Sequence, residues 1–338
     1  MAGRERQPKK GALKARSIAL RWMSASLVAA GVWSATPDAH ACQACACGDA
    51  TFAIDPAKGD AHTLVVQLQA ATRPERYGAD GYPYDFGEWR ADLTLGWAYQ
   101  RTMLALRLPW LWRTLDYEGM ELAQTSGFGD MELAASWVFA RSFDRDDAWE
   151  LQQRGASQFG AIHGGLSMPT GAGIRDARGE LLVDDVQPGT GSFTLFAGVN
   201  WSVTRGIFAV DGRHTAYVPM PGRFQFQVGP TWQNRVRALV TPVAPLTLGV
   251  GFYGSLASPV KYDGEPEVDT GGFAGYLDVE AEVRAHRSVA FIVGARVPVI
   301  QALKGDHRAQ TGVFFGVRLM GEVGASTAVD WDEGGYVL

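Results

Sequence analysis

Hydrophobic and polar residues alternate along most of the chain from residue 62 onwards, as the stretch 273–286 illustrates. One face of this stretch carries Gly275, Leu277, Val279, Ala281, Val283 and Ala285, and the other carries Tyr276, Asp278, Glu280, Glu282, Arg284 and His286. An α-helix would distribute the charged residues around its circumference, whereas a β-strand places them all on one side. The stretches 89–100, 127–139 and 224–237 alternate in the same way. The pattern therefore predicts an all-β protein.

About twelve alternating segments follow one another along the chain. They span 62–71, 89–100, 102–113, 128–140, 158–168, 192–204, 206–217, 223–240, 244–255, 273–286, 288–298 and 310–321. Most are about 10–14 residues long, whereas strands of globular proteins usually have about 5–6 residues and tilted membrane strands about 9–11. Segment length therefore favours strands that cross a membrane.

Short and long links alternate between these segments. Short links lie near residues 101, 205, 242 and 287, and the long links are 72–88, 114–127, 169–191, 256–272 and 299–309. Two links break the pattern, because 218–222 is short and 141–157 is long. Bacterial outer-membrane barrels have short periplasmic turns, long external loops and an even number of strands. We therefore predict an antiparallel transmembrane β-barrel of about twelve strands, with both ends of the barrel sequence on the periplasmic side.

Two soluble architectures also produce alternating apolar and polar residues, but they do not account for the other features of this sequence. A β-sandwich has shorter strands and lacks the asymmetry of the loops, and a lipocalin-like barrel has an apolar interior and a polar exterior. Here the apolar face carries aromatic residues, mostly near segment ends: Trp97, Tyr99, Trp110, Trp112, Trp137, Phe139, Trp201 and Trp232. Aromatic girdles at both interfaces are typical of membrane barrels.

The first 41 residues have the order of a secretory signal peptide. Residues 1–16 are basic, an apolar stretch follows from Ser17 to Ala35 with Arg21 inside it, and Ala39-His40-Ala41 precedes Cys42. This order is typical of a segment that is removed on export. The alternative is a membrane-anchoring helix, but the uninterrupted apolar part is short and rich in Ser, Gly and Ala.

Cleavage would divide the chain into a signal peptide at 1–41, a cysteine-containing periplasmic segment at 42–61, a barrel at 62–321 and an acidic tail at 322–338. Of the 31 Lys/Arg and 36 Asp/Glu residues, seven and two lie in the signal peptide, which leaves a mature net charge of −10. An acidic exported chain is a poor partner for nucleic acid. We expect location in the outer membrane of a Gram-negative bacterium, with membrane lipid and a small solute as partners.

Four stretches resemble the outer-membrane transporters grouped with the meta-pathway of phenol degradation. They are GFGD at 127–130, GLSMPTG at 165–171, PGTGS at 188–192 and VPVIQALKG at 297–305. The resemblance covers about 125–320 and implies a barrel that transports small, often apolar molecules and has no catalytic residues. Independently of the resemblance, the glycines in these stretches permit tight bends and a close approach of two backbone segments. Pro169 ends strand pairing, because proline has no N–H to donate. The acidic tail after the last segment and the cysteines depart from the family pattern.

The inward faces carry charges of both signs. The candidate lumen and selectivity residues are Arg90, Asp92, Asp130, Glu132, Asp211, Arg213, Arg235, Arg237, Asp278, Glu280, Glu282 and Arg284, together with Arg107, Arg296 and Arg318. Such charges must be paired or hydrated. They would either line a narrow aqueous channel or interlock and fill a small lumen. Our specific hypothesis is a network between the three acids of 278–282 and Arg235 and Arg237.

The sequence favours a protein that is not an enzyme. His163 and Ser167 lie four residues apart on one strand face without an acid at a suitable spacing, so we interpret His163 as a hydrogen-bonding residue of the lumen. The sequence has no phosphate-binding loop, dinucleotide fingerprint, zinc-protease motif or haem motif.

Cys42, Cys45 and Cys47 form a C-x-x-C-x-C cluster directly after the predicted cleavage site. The preceding residues lack the Leu of a lipobox, which argues against lipidation of Cys42. Export favours a disulfide with one thiol left over. The alternative is a site for a soft ion, Cu(I) or Zn, which Asp49 or His62 would complete. Both readings stay open, and the segment could also meet a periplasmic partner.

Three functions follow from these observations. A polar-lined barrel favours a channel or transporter for small molecules, with apolar or aromatic solutes among them. The second function is handling of soft metal ions or electrons through the cysteines. The third is a structural or enzymatic barrel.

Overall fold

The computed structural model describes residues 62–77, 84–143, 156–171, 173–175, 186–222, 226–243, 245–267, 269–286, 288–305 and 307–323. These residues form sixteen strands: β1 (His62–Tyr77), β2 (Tyr84–Tyr99), β3 (Thr102–Tyr117), β4 (Met120–Phe128), β5 (Met131–Phe143), β6 (Ala156–Met168), β7 (Thr194–Arg205), β8 (Phe208–Pro219), β9 (Thr231–Val243), β10 (Leu246–Ala257), β11 (Lys261–Tyr262), β12 (Glu265–Pro266), β13 (Gly272–His286), β14 (Val289–Leu303), β15 (Arg308–Ala309) and β16 (Gly312–Val323). Within the described ranges, no helix is long and apolar enough to cross a membrane. The predicted signal peptide, the cysteine segment and the tail from residue 324 lie outside them.

The long strands form one antiparallel sheet that closes on itself. Each pairs with the next long strand in the sequence, and β1 pairs with both β2 and β16, so the first and last strands meet. β4 and β5 share one position, because β4 pairs with 110–117 of β3 and β5 pairs with 102–107. The described residues therefore form a twelve-stranded antiparallel barrel, which confirms the predicted fold class.

The two ends of the barrel differ. At one end, which we call the terminal end, β1 begins and β16 ends, and tight turns at 100–101 and 206–207 join neighbouring strands. The opposite end, the loop end, carries the links 169–193, 220–230, 258–271 and 304–311. Three of the five predicted long links are found here, the two others are mostly strand, and the link predicted as 218–222 is longer than expected.

Three predicted boundaries are wrong. Most of the predicted link 72–88 belongs to β1 and β2, and most of 114–127 belongs to a hairpin of β3 and β4. This hairpin turns at Glu118 and Gly119, whose φ angles are 50° and 81°, as a two-residue turn requires. By contrast, residues 226–230 of the predicted strand 223–240 lie outside β9: the carbonyl of Phe226 accepts from the N–H of Gly222, and Gln227 bridges to Lys261.

Apolar side chains point outward and polar ones point inward. On β1, Leu64 and Leu68 are 45% and 53% exposed, whereas Gln67 is 7% exposed. Exposed aromatic residues lie toward both ends, with Trp89, Trp112 and Trp232 toward the loop end and Trp137, Phe139 and Phe208 toward the terminal end. The other predicted aromatic residues, Trp97, Tyr99, Trp110 and Trp201, are half-buried. This distribution of apolar and polar side chains is the reverse of that in a water-soluble barrel.

Candidate functional site in the barrel interior

The wall formed by β1 to β5, which we call the first wall, holds four ion pairs. They are Arg73–Glu75, Arg90–Asp92 and Arg113–Glu88, each at 2.7 Å, and Arg107–Glu132. Two of these pairs join residues two apart on one strand face, and two join residues directly opposite on neighbouring strands. Period-2 alternation and antiparallel register thus bring the charges together. Sequence reasoning missed Glu88 because the predicted segment began at residue 89. It also missed Arg113, the last residue of the predicted segment 102–113.

The wall formed by β8, β9, β13 and β14, which we call the second wall, holds a continuous ladder of charges. Its contacts are Asp211–Arg237 at 2.7 Å, Arg237–Glu280 at 2.6 Å, Arg235–Glu280 at 2.9 Å, Arg235–Asp278 at 3.3 Å and Arg296–Asp278 at 2.8 Å. Asp278 has no exposed surface. Each charge therefore has a partner of opposite sign, as burial requires.

Two glycines explain how this ladder crosses β10. Arg237 lies on β9 and Glu280 on β13, so β10 runs between them. The inward positions of β10 there are Gly249 and Gly251, and a Cβ atom would come within 2.7 Å of Glu280 at the first and of Arg237 at the second. The missing side chains leave the space in which the ion pair forms.

The predicted network is confirmed in part. Glu280 contacts both predicted arginines and Asp278 contacts Arg235, but Glu282 instead pairs with Arg284 at 3.6 Å and with Arg318 at 3.4 Å. Glu282 lies nearer the terminal end than the other two acids, beyond the reach of β9 arginines. Arg213 lies opposite Arg235 in the register, and its Nε donates to Thr215 at 2.9 Å.

Asp130, a predicted lumen residue, does not belong to either wall network. It lies in the two-residue break between β4 and β5, and its carboxylate accepts hydrogen bonds from the N–H of Gly171 at 2.9 Å and from the N–H and hydroxyl of Thr190 at 2.7 and 2.6 Å. The break shifts the register by one residue, because Trp110 faces Phe128 whereas Arg107 faces Glu132. Asp130 therefore binds loop backbone groups and the Thr190 hydroxyl, and it also lines a cavity beneath that loop.

Residues 186–192, which we call the inner loop, lie inside the loop end of the barrel. Val186 is fully buried, the carbonyl of Gln187 accepts from Arg113 at 2.5 Å, and the Val186 carbonyl accepts from Thr125. Gly171 and Gly189 meet backbone to backbone, so that a Cβ atom on either would overlap the other. The stretches 127–130, 165–171 and 188–192 thus converge at one place, and their glycines serve the close approach expected from the sequence.

Two cavities lie beside these groups. The larger has a volume of about 280 Å³ and is lined by both walls, and the smaller has a volume of about 60 Å³ and lies beneath the inner loop. Arg90, Arg107 and Tyr217 line both. The charged interior therefore surrounds open space and does not fill it completely.

His163 and Ser167 are both buried on β6, as their spacing predicted. The Nε2 atom of His163 shares a hydrogen bond of 3.0 Å with the hydroxyl of Thr215 on β8. This contact agrees with the predicted role of His163 as a hydrogen-bonding residue of the lumen.

The cysteine cluster lies outside the described residues, so its metal and disulfide interpretations stay predictions. Within the part of the chain that the structure describes, no group of three or more His, Cys, Asp or Glu residues could hold a metal ion. His62, the proposed additional ligand, stacks on Tyr99 with ring centroids 4.3 Å apart, and its Nδ1 accepts a hydrogen bond from Trp97 at 3.1 Å.

No protein-family model matches the sequence, and no curated protein matches it. Among solved structures, an outer membrane channel from Pseudomonas putida F1 matches with a TM-score of 0.62 and 16% identity, over 79% of this chain and 100% of that chain. The transport unit of the autotransporter AIDA-I from Escherichia coli matches with a TM-score of 0.41 and 11% identity, over 79% and 93% of the two chains. The toluene transporter TodX from P. putida matches with a TM-score of 0.34 and 10% identity, over 81% and 92%.

The last two scores are too low to support an argument, and the first supports the fold alone. The specific transporter family suggested by the four sequence stretches stays a prediction. The closed sheet, its apolar exterior and the match to the P. putida structure together establish that this chain has the fold of a twelve-stranded outer-membrane β-barrel.

Proposed function

We propose that the protein is an outer-membrane channel for small molecules. The observation that carries the proposal is the combination of an apolar outer surface with a charged interior that encloses a cavity of about 280 Å³. An apolar exterior is stable against lipid, and a closed barrel satisfies its backbone hydrogen bonds without water. A charged interior requires water or ionic partners. Water inside a membrane-spanning barrel is the condition for a solute pathway.

The bore supports passage of small solutes and not of large ones. Arginines of both walls line the larger cavity, and the inner loop lines the smaller one at the loop end. Aromatic side chains also line the larger cavity, namely Tyr217, Tyr253, Tyr276 and Phe314. They would contact apolar or aromatic bodies of solutes, which is the solute class that we propose.

The proposal includes the location and partners predicted from the sequence. The barrel would lie in the outer membrane with lipid as its surrounding partner, the terminal end in the periplasm and the loop end outside the cell. Cleavage before Cys42 and a periplasmic partner of 42–61 remain predictions. The alternative function, soft-metal or redox chemistry with Cu(I) or Zn at Cys42, Cys45 and Cys47, has no support among the described residues.

Planar-bilayer recording of the purified full chain tests the channel. We expect discrete conductance steps in KCl that are absent when detergent alone is added. Liposome swelling in arabinose and in larger sugars would set the size limit. Correctly folded protein, judged by its heat-dependent mobility on a gel, that gives neither conductance nor swelling would contradict the proposal.

A further inference from the structure

We propose that Arg107 is the centre of a binding site for small organic carboxylates inside the barrel, an inference that rests on the proposed channel function for its role in uptake. The ligand's carboxylate would bind the guanidinium group, and its apolar body would lie against the neighbouring apolar side chains of the smaller cavity.

Two donor atoms of Arg107 have no hydrogen-bond partner in the part of the chain that the structure describes. Its side chain is buried, with 2% of the residue exposed, and its Nη2 pairs with Glu132. Its Nε and Nη1 atoms are buried without a hydrogen-bond partner among the described residues. A guanidinium group carries five N–H donors, and buried donors are nearly always satisfied in stable proteins. These two nitrogen atoms are the donors that we assign to a ligand.

The Arg107 side chain lies beside open space. Arg107 lines the cavity of about 280 Å³ and also the cavity of about 60 Å³, so it stands where the two adjoin. The smaller cavity is lined both by charged side chains and by Leu111, Phe226 and Val228. A ligand with one charged end and one apolar end matches this mixed lining.

The sign of the charge around the larger cavity selects an anion. Eight arginines and four acidic residues line it, an excess of four positive charges, although the whole chain carries a net charge of −5. Asp211, Asp278 and Glu282 of the walls do not line this cavity, and Asp278 is completely buried. A pocket with an excess of one sign of charge concentrates ligands of the opposite sign. Arginine binds a planar carboxylate through paired hydrogen bonds, which distinguishes it from a simple point charge.

Titration calorimetry of the folded full chain in detergent tests the site, with benzoate as the probe and benzamide as its uncharged match. We expect benzoate to bind and benzamide to bind at least about tenfold more weakly. Arg107→Lys keeps the pairing with Glu132 but removes the Nε and Nη1 donors, and we expect about tenfold weaker benzoate binding. The double variant Arg107→Gln, Glu132→Gln removes both charges together and should lose binding to a similar extent.

The double variant Arg76→Gln, Asp85→Asn, which removes an exposed ion pair at the loop end, is the matched control and should bind benzoate like the wild type. Absence of benzoate binding, equal binding of benzamide, or unchanged binding by both Arg107 variants would overturn the site. Tighter binding of inorganic phosphate than of benzoate would overturn its assignment to carboxylates. Bilayer recordings separate the two proposals: conductance without Arg107-dependent binding refutes the site alone, and Arg107-dependent binding without conductance refutes the channel alone.

Discussion

The carboxylate of Asp130 accepts two hydrogen bonds from Thr190, one from its backbone N–H at 2.7 Å and one from its hydroxyl at 2.6 Å. Sixty residues separate the two in the sequence. Asp130 belongs to the barrel wall and Thr190 to the inner loop, so this contact fastens the loop inside the barrel. The N–H of Gly171 donates to the same carboxylate, which joins a second loop residue to the anchor.

Replacing Asp130 should release the inner loop. Asp130→Asn removes the charge that strengthens these hydrogen bonds, and we expect the free energy of unfolding to fall by about 1.5–3 kcal/mol. Single-channel conductance should rise, because the loop covers the smaller cavity. Urea titration and bilayer recording measure the two effects. Asp85→Asn, at an exposed position of β2, is the control. Unchanged conductance in a folded Asp130→Asn protein would show that the loop does not limit the bore.

Gly171→Ala should destabilise the same region by a steric route. The new methyl group would overlap the backbone of Gly189, so one of the two loops must move, at a cost of about 1–3 kcal/mol. In Gly321→Ala, nothing lies within 4 Å of the added Cβ, so this variant should unfold at the wild-type urea concentration. Equal unfolding midpoints for the two variants would mean that the backbone contact between Gly171 and Gly189 is not close in solution.

The charge ladder of the second wall should contribute more to stability than an exposed ion pair. Arg237→Gln leaves Asp211 and Glu280 without their shared partner, and breaking a buried pair in this way costs about 3–5 kcal/mol. Arg76→Gln, which breaks a pair at the exposed end of β1, should leave the unfolding midpoint unchanged. Urea-unfolding curves of both variants in the same vesicles provide the comparison, and a wild-type midpoint for Arg237→Gln would argue against the ladder.

The alternation of the sequence was sufficient to predict the faces of the strands but not every contact made on them. Arg90 and Asp92 could be paired from spacing alone, since residues two apart share a face. The pairing of Arg107 with Glu132 depends on the register between β3 and β5, which the sequence does not reveal. The contact of Arg237 with Glu280 depends on Gly249 and Gly251 of β10. Their role becomes visible only when the strand order shows that β10 lies between β9 and β13.

Asp130 shows the limit of the pattern most directly. By alternation it shares a face with Glu132, which is why both were predicted as lumen residues. The one-residue register shift at the break between β4 and β5 separates their roles, because Glu132 continues the ladder of β5 while Asp130 turns to the inner loop. Irregularities of this kind depend on tertiary contacts, here the backbone of 171 and 190, and period-2 reasoning cannot detect them.

The outer surface provides a test of membrane insertion that does not depend on conductance. Leu68 points outward and is 53% exposed, and it lies opposite Leu93, midway between Trp89 and Trp97 on β2. In a bilayer this position would be near the midplane, where arginine costs about 2–4 kcal/mol, falling to about 0–1 kcal/mol near the interfaces. We therefore expect Leu68→Arg to lower the unfolding free energy in phosphatidylcholine vesicles, and Met120→Arg, beside the β3–β4 turn, to change it little. A barrel that works in water would tolerate arginine equally at both exposed positions, so equal unfolding free energies would refute the membrane-spanning assignment of this surface.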